Sequence, residues 1–150
     1  MISVNCRPVK VGHFPAGEQN ILDFKHDISD ENSIPLIKMA AFDVSNKIMT
    51  ALSANGLTAL IGNWVRSRAK GIIDGFDFGI CGEIDKINIE ALNTVLEDGF
   101  IPIFPCIGWS ANGKPYNISS IKLACETAIC LKADKLFFLT PDTSITEKEF

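Results

Sequence analysis

Asn117 is the residue whose neighbours best equip it to meet a small ligand. It closes a hairpin and stands just before a serine pair, Ser119-Ser120, that can start a helix. Its amide could donate to a carboxylate or a backbone carbonyl, and the same spacing would serve an Asx turn feeding the helix. Arg66 and Arg68 occupy alternate positions, so in a strand both face one side. Two guanidinium groups there could hold an acidic ligand, or could simply keep a surface soluble. Asp74, Asp77, Glu83 and Asp85 crowd one short stretch, and a solvated acidic face accounts for them. His13 and His26 are the only histidines, and no nucleophile elbow is present. Five cysteines, Cys6, Cys81, Cys106, Cys125 and Cys130, lack C-x-x-C spacing and read as buried reduced thiols. No catalytic residue, metal-ligand set or cofactor follows from these residues. G-x-x-x-x-G-K-[ST] and G-x-G-x-x-G, the phosphate-cradling patterns, are absent.

The elements that must position these residues centre on residues 100–139. An apolar run over 100–107 predicts a strand, with Asn112-Gly113 at the tip of the turn that follows. Ser119 or Ser120 caps a helix whose buried stripe is Ile121, Ala124, Cys125 and Ala128, and a second strand is predicted over 135–139. Two apolar strands joined through a helix make a βαβ crossover, and near-continuous apolar strands suit a parallel sheet covered on both faces. Open sheets of this kind bind ligands at their carboxyl edge, where Asn117 would lie. Pro102 and Pro105 require an edge position or nitrogens that fall between ladder bonds.

Upstream, Ser29-Asp30 as cap, Pro35 in the first turn and Gly56 as stop frame a long helix. Ile37, Ala41, Val44, Ile48 and Leu52 form its apolar stripe. Residues 57–61 read as a strand, 64–68 as an exposed or edge strand, and 71–88 as a hairpin region ending in a strand at 84–87. Asn88 caps a short helix carrying Ile89, Leu92 and Leu96, which Gly99 closes. Residues 1–27 show weak periodicity: a short strand at Val9-Lys10-Val11, a turn over 14–17 and an element at 21–24. The expected total is three helices and five to seven strands in an α/β arrangement with a parallel core.

Composition bounds the function. With 150 residues, 47% hydrophobic and 21% charged, the chain is globular and large enough for one core. A net charge of −4, a pI near 5.1 and no basic stripe argue against nucleic acid. No signal peptide and no membrane-spanning apolar run are present, so a cytoplasmic location is expected.

Several separated blocks resemble the amino-acid-kinase domain of bacterial N-acetylglutamate synthases. They are Gly62-Asn-Trp-Val-Arg-Ser-Arg68, Asp74-Gly-Phe-Asp-Phe78, Gly82-Glu-Ile-Asp-Lys-Ile87, the stretch 96–99, Gly113-Lys-Pro-Tyr-Asn-Ile118 and Leu131-Lys-Ala-Asp-Lys-Leu136. Acetylglutamate kinases, the sister family, share the last three. The resemblance covers residues 28–139, divides the chain into a poorly matched segment 1–27 and a partial domain 28–150, and implies truncation at both ends. It further implies a three-layer αβα sandwich with a mainly parallel sheet.

The same resemblance implies which residues would carry phosphoryl transfer. The kinases' early Lys-Leu-Gly-Gly strand is missing. Their substrate-clamping arginine falls at Asp27, the aspartate organising the catalytic cluster at Ile121, and the aspartate ending a later strand at Pro141. Of that set only Asn117 remains. Phosphoryl transfer works by positioning and by charge on lysine and metal, so a catalytically silent domain is expected. Its role would be regulation or assembly in arginine biosynthesis, as in the synthases, whose chemistry resides in a separate acetyltransferase domain. The alternatives are an active acetylglutamate kinase and a structural module pairing with another chain. The implied ligand is an amino acid (arginine, glutamate or acetylglutamate), and an open sheet edge favours a homo-oligomer.

Overall fold

The computed structural model describes residues 2–3 and 31–139. The expectations for 9–11, 14–17, 21–24 and Ser29-Asp30, together with Cys6, His13, His26, Asp27 and Pro141, lie outside the described residues.

A 3-10 turn, Glu31–Ser33, leads into α1 (Ile34–Ala54), with Pro35 in its first turn and Asn55 as C-cap. Proline suits that place, because the first helical nitrogens have no partner inside the helix. Ile37, Ala41 and Ser45 are its buried residues. Val44, Ile48, Met49 and Leu52 pack on the same side against Ala59 and Ile103. The predicted stripe is therefore the face that docks.

The strands are β1 (Ile2–Ser3), β2 (Ala59–Ile61), β3 (Val65–Ala69), β4 (Ile72–Ile73), β5 (Phe76–Asp77), β6 (Gly82–Ile87), β7 (Ile101–Phe104), β8 (Ile107–Trp109) and β9 (Pro115–Asn117). Between β6 and β7 lies α2 (Ile89–Glu97), and after β9 comes α3 (Ser120–Cys130). One sheet has the order β1-β7-β2 and is wholly parallel; a mixed sheet has the order β6-β3-β8-β9; β4 and β5 pair by themselves. Asp74 and Gly75, at φ 50° and 80°, turn the β4–β5 hairpin. Two consecutive positive φ values give the hairpin turn for which Asp-Gly is suited.

β7 shows how the layers form. Consecutive side chains of a strand point to opposite faces. Ile103 packs with the apolar side of α1, whereas Phe104 joins Leu92 of α2 and Leu123 of α3. Both strand residues are essentially inaccessible to solvent. Helices on both faces of a parallel sheet make this an α/β fold.

Several expectations are corrected. The apolar run 100–107 is two strands in different sheets. Pro105 cannot donate to a ladder, and Cys106 takes a φ of 56°, so the chain cranks between them. Pro102 sits inside β7, which has neighbours on both sides. Ile101 N donates to Thr58 O on the β2 side, so the next nitrogen faces the β1 side. The first paired residue of β1 lies opposite Ile103, one position further on, and no bond is demanded of Pro102.

Strand β3 is not an edge: it pairs with β6 on one side and β8 on the other. The buried stripe of α3 is Leu123, Ala124 and Thr127, while Ile121 is 59% exposed. Thr127 tolerates burial because its hydroxyl donates to Leu123 O at 2.6 Å. Residues 135–139 form no strand and are exposed, since no described strand pairs with them. Cys81 and Cys106 are buried, but Cys125 is half-buried and Cys130 exposed.

Candidate functional site

Asn117 ends β9, opposite Ile107 of β8, and its backbone N–H donates to Ile80 O at 2.9 Å. A parallel bridge to Cys81 fixes its other side. The helix that follows is capped by Ser119, whose Oγ accepts from Lys122 N. Asn117 therefore does not cap α3, and its half-buried side chain makes no hydrogen bond among the described residues. Ile80, Cys81 and Ile107 pair with it, and Ser119 and, in the first turn of α3, Ile121 follow it along the chain. A magnesium nucleotide needs carboxylate oxygens for its metal. None of these five residues supplies one, and no described group of His, Cys, Asp and Glu could hold a metal. They do not fit an ATP–metal pair.

The two arginines have different fates. Arg68 is opposite Glu83 across the β3–β6 pair, and its Nη2 lies 3.2 Å from Glu83 Oε2. Arg66 is opposite Lys86 on β6 and Trp109 on β8. Directly opposed residues of an antiparallel pair have Cβ atoms only about 5 Å apart, and like charges there repel. Neither Arg66 nor Lys86 forms an ion pair among the described residues. Both line an open cleft of about 600 Å³, as do Trp64, Trp109, Asp85 and Glu90. That volume suits a small-molecule site. Asn117 and Arg68 do not line it, so the structure brings only one of the three predicted site residues into the cleft.

Trp64 is held as one wall by the end of β2. Its Nε1 donates to Ile103 O at 3.0 Å, just beyond the last β2 pair, Ile61 with Ile103. The indole folds back over Gly62 so closely that a Cβ there would lie 2.3 Å from the ring. Only glycine admits this approach. Trp109 lies at the end of β8, with Lys38 Nζ of α1 5.3 Å from the ring centroid. Asp85 is the extra residue at a bulge, since the register passes from Arg66–Lys86 to Ser67–Ile84. Glu90 stands in the first turn of α2, which Asn88 caps by accepting from Ala91 N.

Sequence reasoning missed Lys86, Trp109 and Glu90, because their convergence depends on strand register. The four crowded carboxylates separate in space: Asp77 accepts from Gly79 N, Glu83 from Arg68, and Asp85 alone reaches the cleft. Outside the cleft, Lys114 on the β8–β9 turn pairs with Glu31, whose hydrogen bond and then charge raise the lysine above its ordinary value.

A family model described as "Amino acid kinase family" matches residues 11–146. The chain belongs to the amino acid kinase family. Within the family it is 33% identical over 129 residues to an amino-acid acetyltransferase of Vibrio cholerae, covering 80% of this chain and 29% of that protein. It is 30% identical over 125 residues to an acetylglutamate kinase of Desulforamulus reducens, covering 80% and 44%. A solved N-acetylglutamate synthase from Neisseria gonorrhoeae, complexed with coenzyme A and N-acetyl-glutamate, superposes with a TM-score of 0.75 at 32% identity. That match covers 79% of this chain and 28% of the synthase. The same enzyme complexed with coenzyme A and L-arginine gives 0.74 at 30% identity, over 81% and 31%. The chain thus spans less than half the length of these relatives. Among the described residues, no helix is long and apolar enough to cross a membrane.

Proposed function

We propose that this chain is a catalytically silent amino-acid-kinase-like domain of N-acetylglutamate synthase type, with a regulatory or assembly role in arginine biosynthesis in the cytoplasm. The observation that carries the reading is Ile121. It occupies the first turn of α3, four residues past Asn117, where the resemblance expects the aspartate of the kinases' catalytic cluster. Phosphoryl transfer depends on placed charges, and an isoleucine supplies none. The domain's ligand in this reading is an amino acid, either free or acetylated, whose carboxylate meets the Asn117 amide or the Arg66 guanidinium. Its assembly is a homo-oligomer.

Calorimetry with arginine, glutamate and acetylglutamate tests the ligand part; no heat from any of the three removes it. Light scattering tests the assembly, and a stable monomer refutes it.

A second reading has an observation in its favour: acetylglutamate kinases match this chain over the same 80% share. An active kinase would release ADP in a coupled assay with ATP, magnesium and acetylglutamate. The silent reading expects no release above background, and sustained turnover overturns it.

A further inference from the structure

We infer that the cleft between β3, β6 and β8 is a binding site for a free, zwitterionic α-amino acid. Its carboxylate would lie between Arg66 and Lys86, and its ammonium would face Asp85 and Glu90. The inference rests on the proposal that this domain takes an amino-acid ligand, and adds where that ligand sits and which end is recognised.

Three observations converge. Arg66 and Lys86 are directly opposed across an antiparallel pair, which costs stability unless an anion lies between them. Glu83, the acid opposite the other arginine of β3, is engaged by Arg68. The cleft's other charged residues, Asp85 and Glu90, form no ion pair with either cation among the described residues. Two cations and two anions in one cleft, unpaired with each other, match a ligand that carries both signs. A dicarboxylate lacking an ammonium group would set its second anion against Asp85 or Glu90. An acetylated amino acid would leave both acids without a cation.

The walls suit such a ligand. Trp109 is opposite Arg66 on the neighbouring strand, and Trp64 is fixed by its bond to Ile103 O. These are the chain's two tryptophans, and both line the cleft. Indole emission therefore reports on this site.

The experiment titrates the whole chain with L-glutamate, L-arginine and N-acetyl-L-glutamate, followed by calorimetry and tryptophan emission together. The variants are Arg66→Met, Lys86→Met and Glu90→Gln, all at exposed positions, with Lys47→Met as a charge control. The inference expects the free amino acids to bind with a change in emission, and N-acetyl-L-glutamate to bind at least about tenfold more weakly. Each of the three cleft variants should weaken the free amino acids by about tenfold or more, as loss of a charged hydrogen bond does, and Lys47→Met should not. If N-acetyl-L-glutamate binds as well as glutamate, the zwitterion is wrong. If binding survives Arg66→Met and Lys86→Met but is lost in Asn117→Ala, the site is wrong while the amino-acid reading stands. If no amino acid produces heat or an emission change, both fall.

Discussion

Replacing Gly108 by alanine should destabilise the domain through crowding alone. A Cβ built at Gly108 would lie 2.3 Å from Ile118 Cδ1 and 2.6 Å from both Cβ and Oγ of Ser67. Carbon pairs prefer about 3.5–4.0 Å, so the two carbon contacts must open by about 1 Å or more. Ile118 and Ser67 are both buried, which leaves little room to yield. Ile118 can rotate its terminal methyl, but Ser67 Cβ is attached to the backbone of β3, between β6 and β8. Overpacking of this kind costs about 1–3 kcal/mol, and the rigid partner places Gly108→Ala at about 3. For a chain of this size the corresponding fall in Tm is about 6–12 °C. Urea melts followed by circular dichroism should show a lower midpoint with an unchanged slope. Adding Ile118→Val removes the nearest atom and should recover only part of the loss, because Ser67 remains. An unchanged midpoint in Gly108→Ala would refute the packing argument, and full recovery in the double variant would refute the role given to Ser67.

Other outcomes follow from single features. Ser67 Oγ is buried without a hydrogen-bond partner, so Ser67→Ala should be neutral or stabilising by up to about 1 kcal/mol in the same melts. Leu92 is fully buried between α2 and the sheet, and Leu92→Ala should cost about 2–5 kcal/mol. Ile121→Asp, at an exposed site in the first turn of α3, should leave stability unchanged or raise it by about 0.3–1 kcal/mol through the helix dipole, without producing ADP release. Lys114 is raised above the ordinary lysine value of 10.5 by the Glu31 hydrogen bond and charge. Its contribution is therefore complete below pH 10.5 and fades as pH rises through the higher folded value. Lys114→Met should flatten that alkaline decline, and because both partners are exposed, molar salt should shrink the difference.

Much of the local structure was legible because its causes are local. The spacing of Ile37, Ala41, Val44, Ile48 and Leu52 set the docking face of α1, and Asn88 and Ser119 announced the next two helices by their capping oxygens. What the sequence concealed depended on partners distant along the chain. The run 100–107 looks continuous in hydrophobicity, yet two backbone events, at Pro105 and Cys106, divide it between sheets. The α3 stripe was misjudged because Thr127 hides its polarity in a bond to its own helix, allowing Leu123 to turn inward in place of Ile121. Arg66 was legible as an exposed cation on an alternating strand. Its opposition to Lys86 was not, because a bulge at Asp85 sets that register.

The crank at Pro105 and Cys106 also sets a mechanical condition. β7 lies at the centre of the parallel sheet, and β8 carries Trp109 at the cleft, with only two residues between them. So short a covalent splice cannot absorb sliding of one sheet past the other. Amide protection in β7 and β8 should rise together when the cleft is filled, carrying its occupancy into the middle of the domain without any hinge.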